Sequence, residues 1–158
     1  MKKLRVYVDT SVLGGCFDPE FEPWSSALIE DFRRDRFRPV LSDVTAAEVE
    51  RAPQPVRTLL ADFLALGAEM ISVSPEALAL VTSYESHSIL GPRFRNDLLH
   101  IALATIAEVD VLVSWNFRHI VRLEKIRLFN AVNAEQGYKS LAIYSPREVS
   151  TYEPDGDD

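Results

Sequence analysis

The 158-residue sequence contains one cysteine, Cys16, so no internal disulfide can form, and the thiols a zinc knuckle would need beside the three histidines are missing. A chain of this kind suits a reducing cytoplasm. Long apolar runs are also missing: no stretch approaches the roughly 20 apolar residues of a membrane span. The start, Met1-Lys2-Lys3-Leu4-Arg5-Val6, passes into a short apolar run without the extended uncharged segment of a signal peptide. Positive charge is in deficit, with 17 Lys+Arg against 24 Asp+Glu and a net charge of -7. That balance excludes broad, non-specific adhesion to nucleic acid and leaves local basic patches as the route to such a partner. Two clusters qualify: Arg33, Arg34, Arg36 and Arg38, and then Arg118, His119, Arg122, Lys125 and Arg127. Either can also be read as the solvated face of a helix.

Some chemistries are excluded by their missing motifs. Neither a G-x-x-x-x-G-K-[ST] phosphate loop nor a G-x-G-x-x-G dinucleotide fingerprint occurs. A haloacid-dehalogenase-like phosphatase needs a second Asp two residues after the first, and position 11 is Ser. Repeats, low-complexity tracts and Gly/Ser linkers are missing too, so residues 1–150 read as one domain. Residues 151–158, closing in Glu153-Pro154-Asp155-Gly156-Asp157-Asp158, read as a disordered acidic tail.

What is present is an alternation of short apolar strands and amphipathic helices. Leu4-Arg5-Val6-Tyr7-Val8 reads as a buried strand that gives way to a polar loop at Asp9-Thr10-Ser11, continuing around Gly14 and Gly15. A helix follows from Trp24 toward Asp35, then a strand at Pro39-Val40-Leu41-Ser42. Pro, Ser and Thr mark helix starts near Thr45, near Pro55 and at Pro75, and Met70-Ile71-Ser72-Val73 reads as a third strand. Asn96 to Glu108 reads as a helix, Asp110 to Ser114 as a buried strand, and a basic helix reaches about Gln136 before a left-handed Gly137. Leu141 to Tyr144 supplies the last strand. Strands separated by helices imply parallel pairing with right-handed crossovers and helices on both faces of a small sheet. Sites in such sheets form beyond the carboxyl ends of the strands, where Asp9, Ser42 and Ser114 fall.

Three acids coincide with that edge: Asp9 closing the first strand, Glu48 on the helix after the second, and Asp97 opening the helix before the fourth. Each has a plainer explanation. Asp9 can turn the chain, Asp97 can sit favourably in a first helical turn, and Thr45-Ala46-Ala47-Glu48 matches a capping box. Together they imply more. Two like charges about 4 Å apart repel by about 4 kcal/mol at a surface-like dielectric, so a carboxylate cluster calls for protonation or a cation. Magnesium takes oxygen ligands and keeps several waters, so two or three carboxylates with open positions suit it. An ion held this way activates water and stabilises charge on a scissile phosphate.

The segments V-Y-V-D-T-S, T-A-A-E-V-E, R-N-D-L-L-H-I-A-L-A-T and V-D-V-L-V-S-W-N-F-R-H-I resemble, in that order, the signature segments of PIN domains. They look closest to toxin ribonucleases of the VapBC toxin-antitoxin type, and the resemblance spans residues from Val6 to about Val149. It implies an α/β chain with a three-layer α/β/α PIN-like fold and a small central parallel sheet. It further implies Mg2+- or Mn2+-dependent endoribonuclease activity on RNA, a homodimer, and neutralisation by a cognate antitoxin. Carried over residue by residue, the metal carboxylates are Asp9, Glu48 and Asp97.

The resemblance breaks at one place. The family often carries a fourth acid after the fourth strand, where this chain has Ser114-Trp115-Asn116. Asn116 joins the three acids as a candidate catalytic residue, ligating through its carbonyl, holding a water, or only capping the next helix. Thr10, Ser11 and Ser114 are candidates for orienting ligands or substrate, and Arg95 for a phosphate contact. His100 lies three residues after Asp97 and His119 follows Asn116; each can donate a proton or simply be a satisfied interior histidine. Trp115 can stack on a base or be buried, and Phe17, Phe21 and Trp24 can cover a partner or fill the core. The competing reading is a catalytically weak PIN-like module that binds RNA or protein without cutting.

Overall fold

The computed structural model describes residues 2–154. A five-stranded parallel sheet runs in the order β3-β2-β1-β4-β5, made of β1 (Leu4–Val8), β2 (Phe37–Ser42), β3 (Glu69–Ile71), β4 (Val111–Val113) and β5 (Ile143–Tyr144). Every pairing is parallel, with Val6 beside Pro39 on one flank and Val111 on the other. The central strand is therefore the one that ends in Asp9.

Period-two alternation splits the strand side chains between two cores. Tyr7, Val40 and Leu112 face α5 (Pro75–Ser86), α6 (Arg95–Ile106) and α7 (Leu123–Glu135). Val6, Val8, Leu41, Val111 and Val113 face the other way, onto α1 (Thr10–Gly15), α2 (Glu22–Arg33), α3 (Asp43–Glu50) and α4 (Gln54–Ala65). Burial on both faces is why β1 and β4 read as continuous apolar runs. The order of layers is thus the α/β/α expected of the sequence. No helix among the described residues is long and apolar enough to cross a membrane.

Several local readings are corrected. The expected loop after β1 is a helix, because the Asp9 side chain accepts the Val12 amide and caps a turn whose buried Val12, Leu13 and Gly15 anchor it. The second helix begins at Glu22 with Pro23 in its first turn, two residues before the expected Trp24. Glu48 forms no capping box: Ser42 caps α3 by accepting the Thr45 amide, and the Glu48 carboxylate turns elsewhere. A short α8 (Pro146–Val149) follows β5, carried by a capping box between Ser145 and Glu148.

The end of the chain also departs from the expected tail at its first residues. Thr151 donates its amide and hydroxyl to the buried Asp31 carboxylate, at 3.0 and 2.6 Å, and the Tyr152 ring packs edge-on against Trp24. The rest of that expectation, residues 155–158, lies outside the described residues. Gly137 takes the left-handed conformation anticipated for it, with φ of 85°.

Candidate functional site

Asp9 sits at the carboxyl end of the central strand and is 5% exposed. Its Oδ1 accepts from the Ser11 hydroxyl at 2.6 Å and its Oδ2 from the Ser114 hydroxyl at 2.5 Å. Ser114 closes β4, so the two neighbouring strand ends are tied through this one carboxylate. Burial pushes the Asp9 carboxyl above its ordinary range, opposed by the His100 charge and the two serine hydroxyls.

Asp97 reaches the same edge from the first turn of α6. It takes a weak hydrogen bond from the Asn116 side-chain amide at 3.4 Å and lies 3.3 Å from His119 Nδ1. Burial raises its carboxyl too, with the His100 and His119 charges opposing and the neighbouring Asp9 charge adding to the rise. The Asp9 charge is thus felt at Asp97.

Asn116 connects them. Its backbone amide donates to Ser114 Oγ at 2.9 Å, and its side-chain oxygen accepts the amides of Arg118 and His119. The side chain thus caps a turn with one end and approaches Asp97 with the other. The expected cap of the following helix is not formed, since α7 begins at Leu123 with Arg122 at its N-cap and no side-chain cap; Asn116 closes the turn before it instead.

Glu48 enters from α3 and is held by two residues. Thr10 donates its hydroxyl to Oε1 at 2.8 Å and His100 donates Nε2–H to the same oxygen at 2.7 Å. Burial works against the Glu48 charge, but the His100 hydrogen bond and charge and the Thr10 hydroxyl outweigh it and hold the carboxyl below its ordinary value. His100 is 2% exposed, and its Nδ1 lies 2.6 Å from Tyr7 Oη, which in turn lies 2.7 Å from Ser42 Oγ. Burial pushes the imidazole down, yet the Tyr7 oxygen, Glu48 and Asp9 together raise it well above its ordinary value. The relay Ser42, Tyr7, His100, Glu48 therefore runs from two strand ends through α6 to the acid on α3.

His100 was legible as a proton donor or an interior histidine, and Tyr7 as a strand residue; the pairing between them was not. A signal did exist: Tyr7 falls on the α6 side of a strand between Val6 and Val8, where a hydroxyl needs a partner when buried.

The other candidates separate cleanly. Thr10, Ser11 and Ser114 all belong to the carboxylate network. Arg95 is exposed and pairs with Glu85 at 2.9 Å. Trp115 is 5% exposed and is not a base platform: it stacks on Phe21 at 4.2 Å, donates its indole N–H to Ser25 Oγ at 2.7 Å, and takes its backbone amide to Ser11 Oγ. A Cβ on Gly15 would come within 2.6 Å of the indole nitrogen, so only glycine lets Trp115 seat there and fix Ser114 and Asn116 on either side. Phe21 and Trp24 pack around it, while Phe17 is 52% exposed. The first basic cluster is largely spent on Glu30, Asp31 and Asp62.

The donor set is composed of hard oxygens, and the mutual repulsion of Asp9 and Asp97 is of the kind a divalent cation relieves. In charge and donor chemistry the residues fit such an ion. As they stand they are not drawn into a closed cage: among the described residues no three His, Cys, Asp or Glu side chains gather closely enough to ligate one ion. Each acid is steered instead by its own hydroxyl, amide or imidazole.

The sequence matches no protein-family model and no curated protein. The fold does have counterparts. One is a chain in the crystal structure of VapBC2 from Rickettsia felis bound to a DNA fragment from their promoter, at 14% identity and a TM-score of 0.57 over 90% of this chain and 98% of that one. Another is in the crystal structure of FitAcB from Neisseria gonorrhoeae, at 16% identity and the same TM-score over 90% of this chain and 98% of that one. At such identities the likeness speaks for the fold, and the chain has the PIN-like three-layer α/β/α fold that its sequence segments resemble.

Proposed function

We propose that the protein is a metal-dependent endoribonuclease, acting with Mg2+ or Mn2+, and that it is the toxin of a VapBC-type pair with a cognate antitoxin. The observation that carries the reading is the pair Asp9 and Asp97, both desolvated at one strand-end edge, with the Asp9 charge adding to the cost of ionising Asp97. Carboxylates kept at such a cost, when each could be replaced by a neutral amide, point to a cation as their purpose.

Asp9, Asp97 and Glu48 would hold the ion, which when bound supplies a Lewis acid and an activated water for phosphodiester hydrolysis. The chain's own residues do the positioning. Ser11 and Ser114 hold Asp9 through both oxygens, so its carboxylate does not rotate. Thr10 and His100 hold Glu48 through Oε1. Asn116 replaces a fourth acid with a neutral amide, which lowers the charge available to a second ion.

The antitoxin and homodimer parts of the proposal rest on the segments quoted above and on the fold shared with VapBC2 and FitAcB chains. A short neighbouring reading frame encoding a DNA-binding partner, with growth arrest when this chain is expressed alone in the cytoplasm, supports them. Harmless overexpression opposes a toxin. The second reading, a PIN-like module that binds RNA or protein with little or no cleavage, is favoured by Asn116 and by the open arrangement of the acids. Labelled RNA with Mg2+ decides between them: wild-type protein cleaves and Asp9→Asn does not, whereas equal cleavage by both removes Asp9 from the chemistry.

A further inference from the structure

The C-terminal segment takes no part in the carboxylate network, yet it holds the Trp115 turn from two sides. On one side is β5, where the Tyr144 carbonyl accepts the Ser114 amide at 3.1 Å. The chain then passes through α8 and returns against α2. There the Arg147 guanidinium lies 4.2 Å from the centre of the Trp24 ring, and the Tyr152 ring meets the same indole edge-on at 5.6 Å. Trp24 in turn lies edge-on to Trp115 at 6.2 Å, and Val149 packs on the core that contains Trp115.

A buried carboxylate fixes this strap, residues 145–152, to α2. Asp31 is 1% exposed and accepts the Thr151 amide, the Thr151 hydroxyl and, at 3.2 Å, the Arg36 guanidinium, which also donates to the Thr151 hydroxyl at 2.9 Å. A carboxylate in a core stays charged only with such partners, and hydrogen bonds aimed at its two oxygens admit one register of the chain end. The helix so gripped is the one that supports the site from behind. Its Ser25 hydroxyl accepts the Trp115 indole N–H and donates to the Val12 carbonyl of α1 at 2.8 Å. α2 is therefore the common support of α1, which carries Thr10 and Ser11, and of the turn that carries Ser114 and Asn116.

We infer that the C-terminal strap sets the orientation of the Asp9 carboxylate, with Thr151 and Tyr152 as positioning residues that act through Trp24 and Trp115. The inference rests on the nuclease reading and adds residues remote from the acids to its machinery. The path is short: Tyr152 on Trp24, Trp24 on Trp115, the Trp115 amide to Ser11 Oγ at 2.9 Å, and the Ser11 hydroxyl to Asp9 Oδ1. Interiors are packed as densely as organic crystals, so removing the outer ring lets Trp24, and Trp115 behind it, settle differently. Groups that orient a metal ligand change metal affinity or activity by about 10- to 100-fold, and the Ser11 hydroxyl is such a group for Asp9.

The test compares full-length Tyr152→Ala, Tyr152→Phe, Thr151→Val and Thr151→Ser with wild type and with Arg5→Ala, which removes contacts at the opposite end of the sheet. Mn2+ affinity is read by calorimetry, kcat and KM by RNA cleavage, and the Trp115 backbone amide by nuclear magnetic resonance in EDTA. Tyr152→Ala and Thr151→Val are expected to weaken Mn2+ binding about tenfold and to lower kcat by a similar factor at unchanged KM. Tyr152→Phe keeps the ring and Thr151→Ser keeps the hydroxyl, so both are expected to match wild type. The Trp115 amide signal is expected to shift in the first two variants and to stay in place in the other two and in Arg5→Ala. Unchanged Mn2+ affinity and kcat in Tyr152→Ala overturn the inference whatever the stability of that variant, since the strap is then packing alone. An equal loss in Arg5→Ala, no rescue by Tyr152→Phe, or a loss with the Trp115 amide unmoved also overturns it. If wild type neither binds Mn2+ nor cleaves, the nuclease reading falls, and the amide signal decides the strap: a shift in Tyr152→Ala upholds the path to Ser11 and no shift removes it.

Discussion

The two ends of the central sheet carry charges of opposite sign and treat them in opposite ways. At the amino ends of β1 and β2, Lys2, Lys3, Arg5, Arg33 and Arg38 line a cavity of about 570 Å³. Its cations are mostly matched: Lys3 pairs with Asp35, and Arg5 pairs with Glu69 while donating to the Ala107 carbonyl at 2.7 Å. At the carboxyl ends, Asp9 and Asp97 are desolvated and the Asp9 charge adds to the cost of ionising Asp97, opposed by the His100 and His119 imidazoles. A cavity lined by matched charges is accounted for by folding alone. Buried like charges are not, and that contrast locates the chemistry better than cavity size or basic character does.

The sharpest way to break the contrast is to neutralise one charge at each end. Asp9→Asn is expected to lower RNA cleavage by on the order of 100-fold or more, with the fold intact by circular dichroism. Arg5→Ala is expected to leave the cleavage rate alone and to cost about 1–2 kcal/mol in urea unfolding, by leaving Glu69 and the Ala107 carbonyl unmatched. A loss of activity in Arg5→Ala equal to that in Asp9→Asn would erase the distinction between the ends.

The next effect concerns His100, which gives the acid edge its internal cation. His100→Ala removes one of the two partners of both Tyr7 Oη and Glu48 Oε1 and takes the charge that balances buried Glu48 and Asp9, and a loss of about 2–3 kcal/mol is expected by denaturant unfolding. A stability within about 0.5 kcal/mol of wild type would mean the relay is unimportant to folding.

The smallest effect is a pH dependence. Asp9 has a higher pKa folded than unfolded, so it favours folding where it is protonated, and that contribution disappears as pH rises through its folded pKa. In chelator, ionised Asp9 thus opposes folding at neutral pH, and Asp9→Asn is expected to melt above wild type at pH 7. The gap is expected to narrow by about 2–4 °C as pH falls toward 5, where wild-type Asp9 takes up its proton. A gap that widens on acidification would reverse the sign of the Asp9 shift.

Much of this was legible in the sequence, for a physical reason. β1, β2 and β4 announce themselves because both their faces are buried, and Asp9 and Ser114 are found because parallel strands bring their carboxyl ends to one edge. Helix α1 was hidden because Gly14 and Gly15 read as a loop, although Gly15 is there to admit Trp115. Helix α8 did carry its signal, Ser145-Pro146-Arg147-Glu148, but at four residues it is too short for a periodic pattern. The relay through Tyr7 and His100 joins positions 93 residues apart, and only tertiary packing determines that one hydroxyl meets one imidazole. The spending of Arg95 on Glu85 and the seating of Trp115 against Phe21 are pairings of the same kind.

The account depends on Asp9 and Asp97 sharing a cation. Calorimetric titration of Mn2+ into chelator-stripped wild type, Asp9→Asn and Asp97→Asn tests this most directly. Saturable binding by wild type, lost in both variants, is the predicted result; no binding by wild type, or undiminished binding by either variant, contradicts it.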